Sequence, residues 1–495
     1  MFKKQKKGGI YMLENIEPNR VMYYFEEISK IPRGSGNEKA ISDYVANFAR
    51  EHGLLYIQDE VNNVIVKKNR TNESSETIII QAHMDMVCEK TKGVEHDFQK
   101  DGIKLKIDGD FIKAEGTTLG ADDGIGVAYN LAILESNEIK HPNLEAVFTV
   151  DEEEGMTGAN GLDMSKLSGS MLINIDSEEE GIITVGCAGG ARININITAD
   201  KTNLENIQDF QRYEILVKGL HGGHSGIDID KNRGNAIRIL VELLKNFEEF
   251  EEDMYIYSLE GGMKVNAIPR EASAKILVNT KILMKFLGLY NSYESEILKK
   301  YIDNESELKI ELNKISVDEA CDVYTKETSD KIINVINNII DGVYTMSSDV
   351  EGLVESSSNL GVLKCEENKI ELSILPRSSK VEKLEEIIKQ ITSIMSEQID
   401  AKIEVTSRYP AWDYEVNSKI RDVAVQSYKE LTGVEPIINI IHAGLECAVF
   451  KQNNGKIDVI SIGPNLYDPH TPNERISISS TQKTWNYLLK IIEKI

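Results

Sequence analysis

The chain reads as an α/β protein, a mainly parallel central sheet flanked by helices, with an inserted α+β lid domain. Three observations predict this. Buried-type apolar runs (TIII, EAVFTV, MLINI, DVISIG) alternate with helical spacing in the first and last thirds of the sequence. Between about 189 and 407 the texture changes to strictly alternating strands such as ARININITAD, as half-exposed strands alternate. At 495 residues the chain is also too long for one simple core, so two domains are the default.

The elements follow in order. Residues 1–11 have a basic start and no apolar h-region, which predicts a disordered tail and not a secretory signal. The first part of the main α/β domain spans 12–188. It opens with two helices, VMYYFEEISKI stopping at Pro32 and EKAISDYVANFAREHG ending at Gly53, joined by a Gly-Ser-Gly-Asn turn. Residues 54–67 alternate as two strands about an Asn62-Asn63 turn. The strand TIIIQ then runs into His83 and Asp85, and IKLKIDGDFIKA reads as a hairpin. The loop TLGADDGIG, with Asp122 and Asp123, feeds the helical run VAYNLAILES. EAVFTV runs into Asp151-Glu152-Glu153-Glu154-Gly155, and MLINI into Asp176-Ser177-Glu178. The lid, 189–407, makes two similar passes: RYEILVKGL, the helix NAIRILVELLKNF and the hairpin MKVNAIPREASAKILVN, then IELNKISV, the helix DKIINVINNIIDG, the hairpin GVLKCEENKIELSILPR and the helix KLEEIIKQITSIMSEQ. The second part of the main domain, 408–495, restores the α/β texture, and its last strand runs into a loop carrying His470.

Composition excludes several classes. With 81 acidic against 56 basic side chains the net charge is −25, which argues against sequence-independent nucleic-acid binding and against an anionic membrane surface. No apolar run approaches the ~18 residues of a membrane-spanning helix. Cys88, Cys187, Cys321, Cys365 and Cys447 are odd in number and form no CxxC pair. That suits a reducing cytoplasm and excludes a cysteine-based zinc finger or a disulfide scaffold.

Strands of a parallel sheet end on one edge, where ligands of open α/β sheets bind. The apolar runs would therefore gather two histidines and at least five carboxylates. Unpaired, these acids would repel one another and titrate high. One or two divalent ions remove the conflict. Mixed imidazole and carboxylate donors suit zinc, with cobalt or manganese as alternatives. His83 and Asp85 lie two apart on an extended segment and share a face, so Asp85 suits the acceptor that a metal-bound imidazole needs behind it. In a doubled acid such as Glu152-Glu153, one carboxylate can bind metal while its neighbour accepts a proton.

The ordered set HMDMV, LGADDGIG, TVDEEEG, NIDSEEEG, GGHSG and DPHTPNER resembles the co-catalytic zinc aminopeptidase and carboxypeptidase clan. HMDMV, HAGLEC, LPRSS and the length resemble, within that clan, the aminoacyl-histidine dipeptidase family, from about residue 19 to the end. The resemblance implies that His83, Asp122 and Asp176 hold one metal, and that Asp122, Glu153 and His470 hold the other, with Asp122 bridging. It implies a cis bond between Asp122 and Asp123, Glu152 as general base and Asp85 as the carboxylate that orients His83. In the lid it makes His224 the donor to the developing oxyanion. Asn266 and Arg377 look like groups that touch the substrate, and the amides about Gly444 suit its anionic end.

The function implied is a cytoplasmic metallodipeptidase acting on dipeptides, by preference Xaa-His, through a water activated by Glu152 between two metal ions. A tripeptide aminopeptidase or an amide deacylase of the same clan is the nearest alternative, and a non-catalytic binding protein the more distant one. In some relatives a partner subunit supplies the lid histidine, which implies a homodimer, whereas a large doubled lid could supply it within one chain.

Overall fold

The computed structural model describes residues 11–204, 207–316, 322–348, 352–366, 368–399 and 401–495. All but the last residue of the expected N-terminal tail, and Cys321, lie outside the described residues. Tyr11 packs its ring 5.0 Å from that of Tyr23. The chain divides into two compact units, one formed by the chain up to Gly186 with Trp412–Ile440 and Leu445–Ile495, the other by Cys187–Ala411 with Ile441–Gly444. Two differences from the expected boundaries have a physical cause. The return at 408 falls at Trp412, because Ala401–Tyr409 pairs with Gly189–Thr198 as far as Tyr409 against Gly190. Ile441–Gly444 belongs with the second unit, where His442 is buried with Nε2 2.7 Å from the Ser357 hydroxyl.

The first unit is built on an eight-stranded sheet. Its spatial order is Leu55–Gln58, Val64–Lys68, Asn143–Thr149, Thr77–His83, Met171–Asn174, Asp458–Ser461, Ile182–Cys187, Ile437–Ile441. The four central strands from Asn143–Thr149 to Asp458–Ser461 run parallel. The sheet is antiparallel on both sides of them. The expected parallel sheet is thus its core, since a turn as tight as that at Asn62 (φ 78°) can return only an antiparallel partner. Ile78, Ile79 and Ile80 are 0, 0 and 1% exposed, so this strand is covered on both faces. The segment Ala121–Glu135, buried along almost its whole length, packs on it and on the helix Asn19–Ser29. A smaller sheet joins the hairpin Leu105–Asp108 and Phe111–Ala114 to Arg475–Ser477 and Leu466–Tyr467, and so frames the loop that carries His470.

The insertion holds two topologically equivalent halves of one sheet, but their strands are shared out differently from the two expected passes: Lys309–Lys314, expected to open the second, pairs with Phe210–Lys218 and closes the first, and Gly189–Thr198 opens the second. The first runs Phe210–Lys218, helix Ala236–Lys245, Met254–Gly261, Ala272–Asn279, helix Leu283–Tyr301, Lys309–Lys314. The second runs Gly189–Thr198, helix Lys326–Asn338, Val354–Glu366, Lys369–Ser378, helix Val381–Gln398, Ala401–Tyr409. Matching strands take matching places, and the halves meet edge to edge where Gly261 pairs with Leu363. The first half is inserted into the second, between its opening strand and its first helix.

Candidate metal centre

Seven of the expected residues meet at one edge of the first unit's sheet, five of them delivered by its central strands. Thr77–His83 ends on His83 itself, which is 1% exposed. Met171–Asn174 ends two residues before Asp176, and Asn143–Thr149 three before Glu152. The segment Ala121–Glu135 is not regular helix at its start. Asp122 and Asp123 have non-helical backbone, and the bond between them is cis.

Asp122 stands between two histidines. Its Oδ1 lies 3.0 Å from His83 Nε2, and its Oδ2 lies 3.1 Å from His470 Nε2. Each histidine also faces one more carboxylate: Asp176 Oδ1 is 3.5 Å from His83 Nε2, and Glu153 Oε2 is 2.9 Å from His470 Nε2. The result is two imidazole–carboxylate groups sharing one aspartate. Ligand atoms of His83, Asp122 and Glu153 all lie within 4.8 Å of one another. These separations suit donors around metal ions, because tetrahedral bonds of about 2.0–2.1 Å place neighbouring ligand atoms about 3.3 Å apart. Glu153 Oε1 is buried without a hydrogen-bond partner among the described residues, as an oxygen reserved for a cation would be.

The electrostatics fit the same reading. Burial pushes the Asp176 carboxyl up to about 7, and negative Asp122 adds to the effect. Burial likewise raises Glu153, Glu152 and Asp123 above the usual carboxylate range, with neighbouring carboxylates adding to each. Asp122 goes the other way: burial opposes its charge, but hydrogen bonds from His470 and His83 outweigh it and lower its pKa. Burial disfavours a charged His470, yet Asp122 and Glu153 push it up to about 11, and His83 is raised in the same manner by Asp176 and Asp122. So many acids around two imidazoles call for divalent charge.

Asp85 does more than sequence spacing assigns to it. Its Oδ1 lies 3.4 Å from His83 Nδ1, behind the face that meets Asp122. It also accepts the backbone N–H of Glu152 at 3.1 Å and of Glu153 at 3.2 Å, and the Ser35 hydroxyl at 2.9 Å. One buried carboxylate thus anchors the turn that carries both glutamates. Glu154, the third glutamate of the run, is exposed.

Two residues that sequence reasoning gave no role support the Asp122 loop. Glu474 accepts the backbone N–H groups of Leu119, Gly120, Ala121 and Asp122, the first three at 2.7–2.9 Å. Arg33 is 2% exposed and donates to the carbonyls of Met84 (2.9 Å), Asp85 (3.0 Å) and Gly120. The available signals were an arginine in a glycine-rich turn and an acid four residues beyond His470.

The remaining candidates lie in the second unit. His224 sits on the short strand Gly223–His224, paired with Ala267–Ile268. Its Nδ1 accepts from the N–H of Gly226 (3.2 Å) and Ile227 (3.1 Å), which places the ring proton on Nε2 and makes that nitrogen a donor. Asn266 adjoins this ladder, its carbonyl accepting from Ser225 N–H at 2.9 Å. Arg377 is 5% exposed within Lys369–Ser378 and donates to Tyr409 Oη at 2.6 Å. Gly444 lies in the turn before the helix Glu446–Asn453.

Residues 79–494 match the family model "Peptidase family M20/M25/M40". The chain belongs to this family and is a peptidase. It is 36% identical over 485 residues to the cytosol non-specific dipeptidase of Escherichia coli K12, covering 98% of this chain and 99% of that one. It is also similar to the crystal structure of aminoacylhistidine dipeptidase from Vibrio alginolyticus, with a TM-score of 0.84, 35% identity and 98% of each chain covered. A tripeptidase from Staphylococcus aureus shares the fold at a TM-score of 0.55 and 19% identity, covering 97% of this chain and 98% of that one.

Proposed function

We propose that this peptidase is a metallodipeptidase that cleaves dipeptides, Xaa-His by preference, with two divalent ions, zinc first among them. The observation that carries the reading is the Asp122 carboxylate set between His83 and His470, each with its own second acid. In this reading His83, Asp122 and Asp176 hold one ion, and Asp122, Glu153 and His470 the other. Ions bound there would supply Lewis acidity toward the scissile carbonyl and the attacking water. Glu152 takes the proton of the attacking water and returns it to the departing amine. Its high proton affinity suits that exchange, and Asp85 holds it in place through its backbone. His224, with its proton on Nε2, is assigned to the oxyanion; such a donor is worth about 3–4 kcal/mol in the transition state. Arg377, Asn266 and the amides about Gly444 are assigned to the substrate's carboxylate end. The names of the E. coli and Vibrio relatives support a dipeptide substrate, the second supports C-terminal histidine, and the first supports a cytosolic setting.

A panel of di- and tripeptides assayed with defined zinc, cobalt and manganese tests the reading. Xaa-His dipeptides should give the highest kcat/KM. Tripeptides or N-acyl amino acids cut faster than any dipeptide would contradict it.

A further inference from the structure

One layer below the metal-site residues, the same three strands carry a second polar row. Gln81 lies two residues before His83, Asn174 two before Asp176, and Thr149 three before Glu152. On an extended strand, i and i+2 share a face, so Gln81 sits beneath His83. Gln81 and Asn174 are register partners on adjacent parallel strands, and Asn174 Nδ2 donates to Gln81 Oε1 at 2.7 Å. Asn174 Oδ1 accepts the backbone N–H of Asp176 at 3.3 Å. Gln81 Nε2 donates to Thr149 Oγ1 at 3.0 Å. All three polar side chains are 0% exposed, in strands otherwise made of Ile, Val, Leu, Ala and Phe near these positions.

The row converges on a residue from far along the chain. Glu446, the first residue of the helix Glu446–Asn453, is also 0% exposed. Its Oε2 accepts from Gln81 Nε2 at 2.6 Å and from Thr149 Oγ1 at 2.6 Å. Its Oε1 has no hydrogen-bond partner among the described residues. Buried polar groups are costly unless paired, and a buried acid with one idle oxygen is not explained by stability. Its arrangement has a use in the fold, because one acceptor atom links two strands directly and the third through Gln81.

We propose that Glu446 is a positioning residue: through Oε2 it ties Gln81, Thr149 and, by way of Gln81, Asn174 into a polar layer that sets the spacing at which the strands present His83, Glu152–Glu153 and Asp176. The role belongs to the acceptor oxygen and not to the charge. A glutamine at 446 can accept both donors through its carbonyl and place its amide where Oε1 has no partner. The inference rests on the metal-centre reading above, because the layer matters only if those residues hold ions at fixed separation.

Three variants test it: Glu446→Ala, Glu446→Gln and Thr149→Val. Each is assayed for divalent-metal affinity by competition with a chromophoric chelator, and for kcat and KM on a dipeptide. Groups behind metal ligands typically change affinity or activity about 10–100-fold, so Glu446→Ala should weaken metal binding and lower kcat about tenfold or more, with KM shifting much less. Thr149→Val removes one hydroxyl with little change of volume. It should move both readouts in the same direction, and it carries the test if Glu446→Ala fails to fold. Glu446→Gln should restore both to within about threefold of wild type, below that range. Wild-type metal affinity and kcat in Glu446→Ala or, should that variant not fold, in Thr149→Val would overturn the inference alone. So would a Glu446→Gln as impaired as Glu446→Ala. A wild-type chain that binds no divalent metal would overturn the metal-centre reading, and the inference with it.

Discussion

Asp85 concentrates three tasks on one carboxylate: it backs His83, and it holds the amides of Glu152 and Glu153. In the proposed mechanism, removing it would loosen a ligand, the general base and a second ligand together. Asp85→Ala should therefore lower kcat about 10–100-fold or more and weaken metal retention, as measured by steady-state kinetics and chelator competition. Asp341, in the second unit, makes a separate prediction. Burial pushes its carboxyl up to about 6, while its Oδ1 accepts from Leu360 N–H (2.8 Å) and Asn235 Nδ2 (3.1 Å). The folded chain thus holds this proton more tightly than the unfolded chain. The stability it contributes is present below about pH 4 and is lost as the pH rises through about 6. Asp341→Asn keeps the accepting oxygen and removes the buried charge. It should stabilise the chain by about 1–2 kcal/mol near neutral pH and much less near pH 4, in denaturant unfolding at the two pH values. An equal effect at both would contradict the assignment.

At the scale of elements, the loop 119–122 is held by one acid and one cation. Glu474 accepts four successive amides, and Arg33 binds the carbonyl of Gly120 together with those of Met84 and Asp85. Glu474→Ala would leave buried donors unpaired and should cost about 3 kcal/mol or more in denaturant unfolding, with loss of metal binding; Glu474→Gln should keep much of both. These supports show where sequence reading runs out. His83 and Asp85 were legible because a period-2 strand delivers i and i+2 to one face, and Glu152–Glu153 and Asp176 because apolar runs end on them. Arg33, Glu474 and Glu446 act through backbone amides, carbonyls or a buried row, across separations of 51 to 365 residues. No local period marks such contacts. The lid was legible as two passes, but Lys309–Lys314 closes the first half instead of opening the second, because strand order is not given by alternation.

For the whole molecule, two compact units divide the fold, and in the account proposed here the metal ions belong wholly to the first. An ion that binds only the folded chain stabilises it, by about 2.7 kcal/mol per site at a hundred times its Kd. Stripping metal with a chelator should lower the melting temperature and abolish turnover, and adding zinc, cobalt or manganese back should restore both. Glu152→Gln should separate the two effects, retaining the metal-dependent rise in melting temperature while losing turnover. Activity that survives complete metal removal would contradict the mechanism. If Asp122 joins two metal positions, the number of ions bound per chain depends on its carboxylate. Equilibrium dialysis against zinc, followed by elemental analysis, should find two ions per chain in the wild type and at most one in Asp122→Ala. A wild-type chain that saturates at one ion, or an Asp122→Ala chain that still holds two, would contradict it.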